Sequence, residues 1–105
     1  MNTKTRASQV EWVRSETLIA LKMVYPGALR GEQILRSLLA EFPRFAWEDL
    51  KQSLAGLVEA GYVQRVISES ETDARITPWR SRWFRLTASG VVAADECVEG
   101  RALAV

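Results

Sequence analysis

The stretch from Asp49 to Gly90 constrains the fold of this chain more than any other. It opens with DLKQSLAGLVEAGYVQRV, in which Leu50, Leu54, Leu57 and Val58 recur at helical spacing. The helix stops at Gly61, because glycine takes the left-handed conformation that closes a helix without a steric penalty. Tyr62 to Ile67 follows at once, rich in aromatic and β-branched residues, and reads as a strand. Ser68 to Ser81 is a long polar tip, and Arg82 to Thr87 is the return strand, with Phe84 and Leu86 on one face and Trp83 and Arg85 on the other. Thr87 is placed to cap a last helix over Ala88 to Ala104, which Gly100 weakens near its end. A helix that runs directly into a basic hairpin leaves few architectures open.

The upstream half supplies the remaining helices. Met1 to Ala7 reads as a flexible tail, and residues 8–105 as one domain. Ser8 with Glu11 three residues on is a capping box, which starts a helix expected to reach Tyr25, before Pro26-Gly27. Val13, Thr17, Ala20, Leu21 and Val24 share one face of that helix, and Trp12, Ile19 and Met23 form a second apolar stripe. Two stripes imply cover on both sides, either by the C-terminal helix or by a second copy of the chain. Ala28 to Arg30 reads as a short strand. Gly31 to Phe42 is a second helix with Ile34, Leu35, Leu38, Leu39 and Phe42 inward, ended by Pro43. The turn Pro43-Arg44-Phe45-Ala46 then leads into the helix that begins at Trp47.

Composition narrows the chemistry. The chain has no His, which removes the commonest general base and metal ligand together with every Ser-His or Cys-His pair. Cys97 is the only cysteine, so neither an intrachain disulfide nor a paired-cysteine metal site is available. No enzyme activity, metal or other cofactor is expected. Cys97 lies among Val91, Val92, Ala94 and Val98 and reads as a small core residue. The opening residues lack the apolar core of a signal peptide, and no apolar run approaches the ~20 residues of a membrane span. A cytoplasmic protein without a membrane partner is the expectation. Net charge is only +1, so affinity for a polyanion has to come from a local patch.

The residues Leu54-Ala55-Gly56-Leu57-Val58-Glu59-Ala60-Gly61-Tyr62-Val63 and Phe84-Arg85-Leu86-Thr87-Ala88-Ser89-Gly90 carry a resemblance to the winged helix-turn-helix superfamily of bacterial and phage transcription regulators. The resemblance spans about Val13 to Val98. It implies an α+β, mainly α fold, with a three-helix core, a two-stranded β wing and a C-terminal helix. It also implies double-stranded DNA as partner, with the third helix entering the major groove. Carried onto this chain, the groove-facing positions are Trp47, Glu48, Lys51, Gln52 and Ala55. Short members of the superfamily often pair through their terminal helices, which makes Trp12, Ile19 and Met23 the candidates for a homodimer interface. Metal-sensing relatives need Cys and His ligands, and this chain has one Cys and no His.

Within that frame, Lys51 suits guanine or phosphate and Gln52 suits adenine, although each is also an ordinary solvated residue on a helix face. Glu48 and Asp49 favour the helix dipole but repel phosphates. The wing carries the stronger signal. Arg75, Arg80, Arg82 and Arg85 occur in a run from Ala74 to Ala94 that contains no acid, and the Arg fork suits phosphate. Trp79 and Trp83 interleave with them, placed either against sugar or against the hairpin itself. Glu69, Glu71 and Asp73, on the outgoing arm, are placed to pair with these arginines. Trp47 and Phe45 are either exposed anchors for a partner protein or aromatic staples on the third helix.

Overall fold

In a computed structural model of the protein, residues 3–67 and 75–104 are described. Helix α1 (Thr3–Val24) leads to strand β1 (Leu29–Arg30), helix α2 (Gly31–Leu39) and helix α3 (Trp47–Glu59). Strand β2 (Val63–Val66), a 3-10 turn (Trp79–Ser81), strand β3 (Trp83–Leu86) and helix α4 (Ala88–Ala104) follow. The three strands form one antiparallel sheet in the order β1-β3-β2, with Leu29 opposite Phe84 and Val63 opposite Leu86. The two-stranded wing, β2 and β3, is extended to a three-stranded sheet by the short strand predicted at Ala28 to Arg30, which adds to β3 as Leu29–Arg30.

The core is where the periodicities converge. Leu50, Leu54 and Leu57 of α3 meet Val13, Leu18 and Leu21 of α1, Ile34 and Leu38 of α2, and Val63, Phe84 and Leu86 of the sheet, all buried. Thr17 is the buried polar residue among the described ones, and its hydroxyl donates to the Val13 carbonyl oxygen at 2.8 Å, so its burial carries no unpaired group. Helix α4 lies along α1, sealing it with Ala94 and tied to it by a Lys22–Asp95 ion pair. Gly61, with φ 84°, reverses the chain between α3 and β2, and the Thr87 hydroxyl accepts from the Gly90 amide at 3.1 Å, capping α4 as predicted.

Several boundaries and faces differ from the sequence reading. Helix α1 starts at Thr3, so Ser8 lies inside the helix and the capping box does not open it; Thr3 to Ala7 contains no Gly or Pro to stop the helix there. Leu18, outside both predicted stripes, is buried, whereas Val24 is exposed. Helix α2 ends at Leu39 instead of Phe42. Pro43 bars Phe42 from helical backbone, and the Phe42 ring packs on Trp12 with centroids 4.6 Å apart while staying 47% exposed. Val58 faces outward, because it sits more than a quarter of a turn round the helix from Leu57, which takes the core position.

Candidate nucleic-acid interface

Gly31 is the point on which the candidate interface is built. It joins β1 to α2, its amide donates to the Arg82 carbonyl oxygen at 3.0 Å, and its Cα hydrogens leave room for the 3-10 turn. A Cβ there would lie 2.6 Å from the Trp79 carbonyl oxygen, 3.0 Å from the Trp47 ring and 3.2 Å from the Arg80 Cα. The missing side chain thus brings the end of the wing and the start of α3 together.

Three arginines around this point each lie over an indole. The Arg80 guanidinium carbon is 5.1 Å from the Trp47 ring centroid, Arg82 is 4.9 Å from Trp79, and Arg30 is 5.4 Å from Trp83. Each stack is worth about 0.5–1 kcal/mol at exposed sites, and it holds a flexible side chain in one place. Arg82 is fixed further, since its Nε donates to the Thr77 carbonyl oxygen at 2.8 Å. Arg30 also reaches Glu32 at 3.3 Å, which partly offsets its charge. Arg80 and Arg75 are exposed, and Arg85, also exposed, donates from Nε and Nη2 to Gln64 Oε1 at 3.4 Å. Sequence reasoning did not single out Arg30; the pairing of β1 with β3, which carries it to Trp83, is the signal it lacked.

The aromatic candidates take packing roles as well. Trp79 stacks on Phe84 at 5.7 Å between centroids, so one face of its ring belongs to the core. Trp47 is half-buried under Arg80. Phe45 is buried in the core, which removes it as an anchor for a partner protein and selects the staple alternative.

On α3, Glu48, Gln52, Ala55 and Glu59 recur at helical spacing and are all exposed. The outward face of this helix is thus acidic at both ends, with Gln52 between. Lys51 sits at its flank, half-buried. The structure therefore groups the arginines with Trp47 at one end of α3 and leaves Gln52 on the acidic face. Glu69, Glu71 and Asp73, expected to pair with the wing arginines, lie outside the described residues. Of the dimer candidates, Met23 is 82% exposed, Ile19 is half-buried and Trp12 is engaged with Phe42. Among the described residues no group of three or more metal-ligating side chains converges, and no helix is long and apolar enough to cross a membrane.

This arrangement defines a winged helix-turn-helix fold. Solved structures share it at low identity. A transcriptional regulator from Clostridium thermocellum is 16% identical, with 99% of this chain and 90% of that one covered and a TM-score of 0.63. ZitR of Lactococcus lactis, as a mutant in apo form, is 14% identical over 96% of this chain and 65% of its own, with a TM-score of 0.65. F-93 of SSV1 is 14% identical over 87% of this chain and 92% of its own, with a TM-score of 0.57. No protein-family model matches the chain, and no curated protein sequence matches it. The likeness is one of fold.

Proposed function

We propose that the chain is a DNA-binding winged-helix protein that acts as a transcriptional regulator, without catalytic activity. The observation that carries this reading is the cluster of arginines stacked on Trp47, Trp79 and Trp83 around Gly31. Guanidinium groups held in place at the junction of a wing and α3 suit phosphates along a duplex edge. In this reading Arg75, Arg80 and Arg82 supply most of the affinity, Trp47 orders Arg80 and Trp79 orders Arg82, and Lys51 and Gln52 supply what sequence reading there is. Glu48 and Glu59 on the outward face of α3 make backbone contact the larger contribution. The neighbour from Clostridium thermocellum is a transcriptional regulator, which supports the reading at the level of the fold.

Fluorescence anisotropy with random-sequence duplex DNA at two salt concentrations tests this. Salt-sensitive binding is expected, and the double variant Arg75→Ala, Arg80→Ala should weaken it for every sequence and lower the salt slope by about 2. Unchanged affinity in that variant removes the wing from the interface. The acidic outward face of α3 favours a second reading, a winged-helix adaptor that binds protein and not DNA. Absence of DNA binding at low salt, together with a salt-insensitive protein partner in a pull-down, selects that reading.

We further propose a homodimer through α1 and α4, with Met23 as its most exposed apolar contribution alongside Trp12 and Ile19. Sedimentation should show a dimer that Met23→Glu dissociates; a monomer at all concentrations overturns it.

A further inference from the structure

A groove of about 700 Å³ runs between the first half of α1 and the flank of α3. This volume falls in the range of about 300–1,000 Å³ common for small-molecule sites. On the α3 side Ser53, Gly56 and Ala60, all small, line it. A Cβ added at Gly56 would meet nothing within 4 Å. The floor is apolar, made by Val13, Phe45 and Leu57, all buried. The walls are charged and opposite in sign: Arg14 stands on α1 and Asp49 on α3. Both are exposed, and they form no ion pair with each other or with another described residue. Arg14 is nevertheless held, with its guanidinium carbon 5.5 Å from the Tyr62 ring centroid.

An apolar floor between an unpaired cation and an unpaired anion is complementary to one kind of molecule. We infer that the groove binds a small zwitterion with its two charges at opposite ends of an apolar or aromatic body, which rests on Val13, Phe45 and Leu57 while the anionic end meets Arg14, held at Tyr62 beyond the end of α3, and the cationic end meets Asp49 in the first turn of α3. Such a ligand lies beside Gln52, which also lines the groove. Its occupancy would therefore cover the amide proposed for base reading; that consequence rests on the DNA-binding reading, whereas the binding itself does not.

The test is an NMR titration of the full ¹⁵N-labelled chain with three probes that share a phenyl ring: 4-(aminomethyl)benzoate, which carries its two charges at opposite ends of the ring, benzoate and benzylamine. 4-(Aminomethyl)benzoate should shift the Ser53, Gly56 and Ala60 amides saturably. Each probe lacking one charge should bind about 10-fold or more weakly, the worth of one hydrogen bond to a charged group. Asp49→Asn should bring 4-(aminomethyl)benzoate down to the affinity of benzoate, and Arg14→Gln should bring it down to that of benzylamine. The rest of each variant's spectrum reports whether it is folded. No saturable shift with 4-(aminomethyl)benzoate overturns the inference, and so does equal binding of all three probes. Groove shifts that follow protein concentration and not the probe also overturn it, since a second copy of the chain then covers the groove. No DNA enters this readout, so its failure and the failure of the DNA-binding reading are distinguishable.

Discussion

At the scale of single residues, two helical glycines, Gly31 at the start of α2 and Gly56 inside α3, have opposite roles. Gly31 is buried, and a methyl group there would collide with the Trp79 carbonyl oxygen and crowd Trp47. Gly31→Ala should destabilise the fold by about 1–3 kcal/mol, the usual cost of overpacking, in a urea melt. It should also weaken DNA binding beyond that of the folded fraction, because Arg80 is displaced from Trp47. Gly56 is exposed on α3 with open space where its Cβ would be. Gly56→Ala should stabilise by about 0.5–1 kcal/mol through helix propensity alone, measured in the same melt. Helical pattern cannot tell these two apart, since the reason for Gly31 lies in a segment that follows it distantly in the chain.

At the scale of elements, α4 depends on its first turn. The Thr87 hydroxyl accepts from the Gly90 amide and donates to the Gly61 carbonyl oxygen at 2.6 Å, so one side chain caps α4 and ties it to the turn after α3. Thr87→Ala should cost about 1–2 kcal/mol by thermal or urea unfolding, at the upper end for an N-cap. This cap was legible in the sequence, as were α3, its stop at Gly61 and the alternation of β3, because local pattern determines them. Other features were not. Leu18 is buried because α2, α3 and α4 surround α1 more widely than two stripes anticipate. The arginine–tryptophan stacks joining Arg30 to Trp83 and Arg80 to Trp47 are between residues distant in sequence. The sequence showed a basic wing; only the register of β1 on β3 and the close approach at Gly31 show where its arginines are held.

At the scale of the whole molecule, the sheet order β1-β3-β2 makes the last strand the central one. Both β1 and β2 hydrogen-bond to β3 and not to each other, and α1 is covered by α4, the last helix. During synthesis, then, the first two strands and the first helix wait for partners made later, and local helices form before any sheet does. A chain ending at Arg82 should retain helical circular dichroism but lose a cooperative thermal transition; a sharp melt in that fragment contradicts this order. The same topology makes the outcome of translation nearly binary. A ribosome that stalls before β3 releases a chain with unpaired strand edges and an uncovered first helix, a natural substrate for proteolysis, so the molecule carries in its strand order a check that translation has passed β3.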